Sequence, residues 1–340
     1  MISERQQLIL EYIKSNEAIG IADIALFVNE NGYPTLSRIT ILRDLEKLIL
    51  LNRIRKVGSA RATKYEYVLS VDEYFDIDPD VRVLVSDSFN FKVWDKIKTV
   101  LTKEEVTHLN KVNQKYVSNS KTLSSALLRK EYERLTIEFS WKSSKIEGNT
   151  YTLLDTERLI KEHKQAEGKK QEEATMILNH KKALDFIFEQ PEYFKELSVK
   201  KIEELHYLLV DGLEVGSGVR KRIVGITGTA YRPLDNEFQI KEALQKLVDI
   251  INETTEPTAK AIITILMISY IQPFEDGNKR TARMLANAIL HAHNFCQLSY
   301  RSVDEIEYKK AMLLFYEQND FNYFKKIFSE QFIQAVNIYF

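Results

Sequence analysis

The chain has 340 residues, 44% of them hydrophobic and 29% charged, with a formal net charge of −1. That composition supports packed cores, argues against a disordered chain, and leaves no global field to steer the protein to nucleic acid or to a membrane, so any such activity must be local. The single cysteine, Cys296, excludes an internal disulfide framework and a cysteine-based zinc site and fits a reducing, cytoplasmic compartment, while 11 glycines and 6 prolines among abundant helix formers indicate a mainly α protein of two or three domains.

The polar start, Met1 to Gln6, carries no signal-peptide apolar region. Ser3 before Gln6, with Leu8, Ile9, Tyr12 and Ile13 behind them, predicts a capped amphipathic helix from Ser3 to Ser15. A second short helix is expected from Ile21 to Asn29, broken at Asn31-Gly32-Tyr33-Pro34. A third, Thr35 to Leu48, turns Ile41, Leu42, Leu45 and Leu48 to one side and Ser37, Arg38, Thr40 and Arg43 to the other. Arg53 to Lys56 and Lys64 to Leu69 alternate like the strands of a hairpin around Gly58-Ser59. From Thr35 to Lys64, eight basic residues face two acidic ones, a local net charge of +6 of the kind phosphate binding needs.

Three helices and a hairpin make a winged helix-turn-helix over residues 1–70. The helix Ser37-Arg38-Ile39-Thr40-Ile41-Leu42-Arg43-Asp44-Leu45 resembles the recognition helix of small winged transcriptional regulators. The resemblance implies duplex DNA as partner, with Ser37, Arg38, Thr40 and Arg43 on base edges or phosphates and Lys56, Arg61 and Lys64 as wing contacts. Winged helices also serve as protein-docking or dimerisation modules, which is the other reading of this segment.

Residues 71–88 begin acidic, contain Pro79 and are expected to be a linker. Helical patterns from Phe89 to Lys115 and Lys121 to Leu135 form a helical extension, residues 89–135. Ile137 to Asn149 continues as a helix in which Ser143 and Glu147 share a face at i and i+4, with Gly148 placed to end it. His163 and His180 fall in a helical stretch from Thr152 to Glu189 without a ligand-like neighbour pattern, and each reads as a surface or satisfied core histidine; His206, in the helix Ser198 to Val210, reads as structural. Alternation from Ile223 to Ile226, then Gly228, then Tyr231-Arg232-Pro233, predicts a small β-hairpin at about 219–233.

An apolar run from Ala259 to Ile271, too short to span a bilayer, leads into Gln272-Pro273-Phe274-Glu275-Asp276-Gly277-Asn278-Lys279-Arg280-Thr281-Ala282-Arg283, and a second helix leads out. The turn between them suits a polyphosphate. Free N–H groups at a helix N-terminus bind anions, Gly277 lets the backbone approach, Asp276 can hold a divalent cation, and Arg280 and Arg283 share one side of the outgoing helix. His291 and His293 lie some three turns along that helix. Residues 301–340 read as amphipathic helices rich in Phe and Tyr, mostly core, with some able to form a homodimer seam.

The turn resembles the signature of the Fic family, H-x-F-x-[DE]-G-N-[GK]-R-x-x-R: Phe274, Asp276, Gly277, Asn278, Lys279, Arg280 and Arg283 fall on the pattern. Fic enzymes transfer a nucleotide fragment, usually AMP from ATP, onto a protein hydroxyl. The resemblance implies ATP and Mg2+ as ligands, Asp276 at the metal, and Gly277, Asn278, Lys279, Arg280 and Arg283 around the nucleotide. It departs at Gln272, where the family has the histidine that acts as general base. Ser143, Glu147 and Gly148 resemble the family's inhibitory motif, [ST]-x-x-x-E-[GN], which implies that Glu147 reaches Arg283 in place of the ATP γ-phosphate. The 219–233 segment resembles the flap that holds an acceptor protein over the site, with Ile226, Thr227, Gly228 and Tyr231 as its residues. The expected architecture is thus a Fic-type helical core at 136–300, holding an inhibitory helix at about 136–148, the flap, and the signature at 272–283. Two functions follow: an adenylyl transferase restrained by Glu147 and impaired by Gln272, or a DNA-binding regulator whose silent core binds nucleotide or a partner.

Overall fold

The computed structural model describes residues 2–340, apart from the side chain of Arg61, so that one expected wing contact lies outside the described residues. The chain divides into two compact units, residues 1–82 and 83–340.

In the first unit, α1 (Glu4–Lys14) starts at the Ser3–Gln6 capping box. It is followed by β1 (Ile19–Gly20), α2 (Ile21–Glu30), α3 (Arg38–Leu50), β2 (Ile54–Val57), β3 (Lys64–Tyr67) and α4 (Val71–Phe75). The strands form an antiparallel sheet in the order β1-β3-β2. Ile9, Ile13, Ile24, Val28, Ile41, Leu45, Leu48 and Ile54 are buried together, each contributing about 1.5–3 kcal/mol by leaving water. Asp44, also buried, accepts from Arg5 Nε at 2.6 Å and from Gln6 Nε2 at 2.8 Å, tying α3 to α1. The acidic stretch expected to begin a linker at Val71 starts instead as α4. Its Glu73 pairs with Lys14 and accepts from the Tyr67 hydroxyl at 2.6 Å, and these bonds fasten α4 to α1 and β3.

The second unit is helical: α5 (Val93–Ile97), α6 (Lys103–Thr122), α7 (Ser125–Ile146), α8 (Leu153–Glu162), α9 (Gln171–Glu189), α10 (Val199–Val210), α11 (Glu237–Glu253), α12 (Pro257–Ile271), α13 (Asn278–Ala292), α14 (Glu305–Gln318) and α15 (Asn322–Tyr339). Every residue of α12 from Thr258 to Ile271 is buried. That helix is apolar all round because it is the central one, and it shares its largest interface with α13. Pro257 opens α12 at a position that lacks an intrahelical N–H partner anyway.

α7 runs unbroken through the boundary expected near residue 135. It is fixed to the C-terminal helices by Glu138, which accepts from Arg301 and from the Tyr339 hydroxyl, and by the Lys142–Glu305 pair. The hairpin expected at 219–233 does not form. Among the described residues this segment has no strand ladder; it is extended backbone with a turn at Thr227-Gly228 and a single bridge from Arg232 to Ser88. Gly225 and Gly228 weaken any strand there, and a lone pair of short strands is marginal in water. Tyr231, expected on the flap, is core: it stacks on Tyr270 with centroids 4.5 Å apart and donates to the Tyr270 carbonyl at 2.9 Å.

Candidate functional site

The link between α12 and α13 is built by backbone demands that a few side chains meet. α12 ends at Gln272, whose φ of 50° is left-handed, a costly conformation for a residue with a Cβ. It is held there by Arg220, which is buried and donates from Nε to the Gln272 carbonyl at 2.6 Å. The same arginine donates to the carbonyls of Arg222, at 2.7 Å, and of Leu234, while its own N–H reaches the Pro273 carbonyl at 2.9 Å. The side chain of Gln272 folds back to donate to the Ser269 carbonyl at 2.7 Å.

Phe274 is buried against the His206 ring, with centroids 3.7 Å apart and planes 9° from parallel. His206 Nε2 lies 2.9 Å from the Asp276 carbonyl oxygen and donates to it. Burial holds the ring neutral and brings its pKa down to about 4. Asn278 accepts from the Phe274 N–H and donates to the Phe274 carbonyl, each at 2.8 Å. Its amide, expected in the anion cradle, is thus spent on closing the loop, and only its main chain remains for a ligand.

Gly277 is required twice: φ is +79°, and an added Cβ would lie 3.0 Å from Val210 Cγ1 and 3.5 Å from the His206 ring. It caps α13 without a side-chain hydrogen bond, so the first N–H groups of that helix keep their dipole and donors for an anion. Asp276 accepts from Arg280 Nη2 at 2.8 Å, yet its side chain is 68% exposed.

Arg283 is fully buried. Ser143 on α7 accepts twice from it, through the hydroxyl from Nε at 3.0 Å and through the carbonyl from Nη2 at 2.8 Å. Its Nη1 lies 3.0 Å from Glu147 Oε1, an ion pair whose alignment falls short of a straight hydrogen bond. Burial is the strongest single influence and opposes the charge of Arg283, but Glu147 and Tyr308 together outweigh it and the pKa stands above the ordinary value. Lys279 Nζ is 3.8 Å from Glu147 Oε2. Glu147 is the C-cap of α7, and Gly148 follows with φ +97°, so the turn after the helix fixes where the carboxylate points.

These pieces enclose one cavity of about 420 Å3. Glu147, Gly148, Ile226, Thr227, Gln272, Asp276, Gly277, Asn278, Lys279 and Arg280 line it. Arg283 does not; Glu147, which does, covers it. Gly228 stands at the turn beside Leu313. The cavity's other wall, Lys309, Met312, Leu313 and Tyr316 of α14, went unseen in the sequence, since an amphipathic helix gives no sign of which cavity it faces. Arg220 and His180 also went unrecognised as parts of this region: the partners that bring them into it, the Gln272 carbonyl and the Ser143 hydroxyl, are far away in sequence. Among the described residues, no group of three or more His, Cys, Asp or Glu could hold a metal ion by itself.

In the first unit, Ser37 caps α3 and accepts from the Thr40 N–H at 3.3 Å; it lies outside the helix expected to carry it. Arg38 and Arg43 of α3, and Lys56 and Lys64 on the two strands, are exposed. No helix among the described residues is long and apolar enough to cross a membrane.

Residues 196–290 match the Fic/DOC family. The protein adenylyltransferase fic-1 of Caenorhabditis elegans is 27% identical over 178 residues, covering 50% of this chain and 35% of that protein. The protein adenylyltransferase Fic of Drosophila erecta is 29% identical over 174 residues, covering 49% and 34%. The chain thus spans about a third of the length of these relatives. In fold, it resembles a Fic domain-containing signalling protein from Bacteroides thetaiotaomicron, with a TM-score of 0.58 at 21% identity over 68% of this chain and 94% of that one. It also resembles a fragment of Fic-1 from Caenorhabditis elegans, with a TM-score of 0.53 at 22% identity over 73% and 70%. The signature loop and the helices that carry it lie within residues 196–290, the part of the second unit that matches the Fic/DOC family, and the unit's fold is similar to that of Fic proteins.

Proposed function

We propose that the second unit binds Mg-ATP in this cavity and is built to transfer AMP to a hydroxyl of a target protein, with Glu147 as its inhibitor and Gln272 keeping the rate low. The observation that carries the reading is the Glu147–Arg283 pair: a fully buried guanidinium beside a helix N-terminus is an anion site, and a carboxylate from another helix already sits on it. A triphosphate and Glu147 compete for the same donor.

Asp276 suits Mg2+, which is commonly held by one or two carboxylates and completed by phosphate oxygens; its side chain is largely exposed and lines the cavity. Such an ion, when bound, neutralises phosphate charge. The hydroxyl oxygen of the target attacks the α-phosphorus, the bond to the β-phosphate bridging oxygen breaks, and pyrophosphate leaves. The hydroxyl proton needs an acceptor. A neutral amide accepts a hydrogen bond but cannot take that proton near neutral pH. Positioning and electrostatic stabilisation remain. The extended 223–226 segment, at the cavity's edge, is where we place the target, held by strand addition.

The assay that tests this reading is labelled-ATP transfer, to the protein itself and to cell extract, by the Gln272→His, Glu147→Gly double variant. A positioned base contributes about 10²–10⁴ in rate, so the double variant should exceed Glu147→Gly alone by about that factor. A double variant that binds Mg-ATP and labels nothing removes the transferase reading and leaves a nucleotide-binding regulator.

A second reading concerns the first unit. Its three helices, its β1-β3-β2 sheet and its exposed Arg38, Arg43, Lys56 and Lys64 support a winged helix-turn-helix that binds duplex DNA, α3 entering the major groove. A DNA titration of the full chain at low salt tests it, and absence of binding there leaves a docking module.

A further inference from the structure

His180, on α9, reaches the ion-paired arginine without lining the cavity. Its ring is fully buried against α7. Nδ1 lies 2.8 Å from the Met176 carbonyl oxygen and Nε2 lies 3.0 Å from the Ser143 hydroxyl. A carbonyl only accepts, so Nδ1 carries the proton and Nε2 offers a lone pair. The Ser143 hydroxyl therefore donates to Nε2, and its oxygen is left to accept from Arg283 Nε, as the 3.0 Å separation shows. The Ser143 carbonyl takes Nη2. Burial keeps the imidazole neutral, with its pKa down at about 3, and the charges of Arg280 and Arg283 act in the same direction. The tautomer this chain of bonds needs is thus the one the ring adopts at any ordinary pH.

We propose that His180 is a positioning residue for Arg283: through Ser143 it fixes the Nε and Nη2 side of the guanidinium and leaves Nη1 as the donor that Glu147 and an incoming anion exchange. This rests on the reading of the cavity as a nucleotide site. It changes the picture of the competition. Arg283 does not swing when Glu147 leaves; it stays pinned, so a phosphate meets a donor already in place and orders no long side chain on binding.

The test uses the full chain carrying Glu147→Gly, with Ser143→Ala, Ser143→Thr and His180→Phe added singly and Ser143→Ala with His180→Phe together. Phenylalanine keeps the ring that packs on Phe139 and removes both nitrogens. Ser143→Ala and His180→Phe should each weaken Mg-ATP binding about threefold to tenfold, the loss of one hydrogen bond to a charged site. The pair together should be no weaker than the worse single variant, because both act through one chain of bonds. Ser143→Thr, which keeps the hydroxyl, should retain the affinity. In the ligand-free protein with Glu147 intact, the Arg283 Nε–H resonance should exchange slowly, and exchange fast after Ser143→Ala or His180→Phe. Additive losses, or an Arg283 resonance that His180→Phe leaves unchanged, overturn the proposal and make His180 a space-filler. If the Glu147→Gly parent binds no ATP, the nucleotide reading falls, and the Arg283 resonance still decides what His180 does.

Discussion

The residues of the signature divide by what their polar atoms are free to do. Asn278 is committed to the loop, and Asn278→Ala would leave the Phe274 N–H and carbonyl buried and unpaired. Each such group costs about 1–3 kcal/mol, so the variant should lose about 2–4 kcal/mol in denaturant unfolding; a loss under about 0.5 kcal/mol would contradict the role given to it. His206 gives the loop a pH dependence. Its folded pKa lies below its ordinary value, so the unfolded chain takes up the proton first as the pH falls. Its contribution is complete above about pH 6.5 and is lost as the pH drops from there towards 4, amounting to about 2 kcal/mol by pH 5. His206→Asn should flatten the fall in unfolding free energy between pH 7 and 5, and an unchanged slope would refute the assignment. The signature was legible as a set, because residue type and spacing define it. That Asn278 is spent within the loop was not, because spacing does not say which backbone groups lack partners.

Among the elements, α7 and α3 each present one face whose use depends on what anchors the other. α7 brings Ser143 and Glu147 to Arg283 from a helix fixed by Glu138 and Lys142. The i, i+4 spacing made that shared face readable in advance; the bonds that aim it come from Arg301, Glu305 and Tyr339, which no local pattern links to it. In α3, Asp44 turns inward to Arg5 and Gln6, while Arg38 and Arg43 remain outside. Asp44→Ala should destabilise the first unit by about 1–3 kcal/mol through the stranded Arg5 and Gln6, seen as an earlier unfolding transition of that unit. Arg38→Ala should leave the fold intact and weaken DNA binding by about 1–3 kcal/mol if the arginine reads a base edge; equal binding by the two proteins would exclude it from the interface. The 219–233 segment shows the limit of alternation as a signal. Ile223 is exposed and Ile226 half-buried, so the period is real, but a period reports which side is buried and not whether a neighbouring strand exists.

At the scale of the whole molecule, the helical character followed from periodicity and the scarcity of glycine and proline. α12 was the most readable element because a helix apolar all round must be central. The C-terminal aromatics Phe315, Phe324, Phe328 and Phe332 fill the core, as their spacing suggested. Composition misplaced the start of the linker, since acidic residues mark solvent contact and not the absence of structure, and α4 has both.

The function proposed for the second unit depends on one competition, between Glu147 and a triphosphate for Arg283. Calorimetry of Mg-ATP binding to the protein as it stands and to Glu147→Gly measures it directly. Removing a carboxylate that holds a buried guanidinium should tighten binding about tenfold or more, the equivalent of one charge-assisted bond of about 1.5–3 kcal/mol. Equal affinity in the two proteins, with the triphosphate placed identically, would contradict the claim.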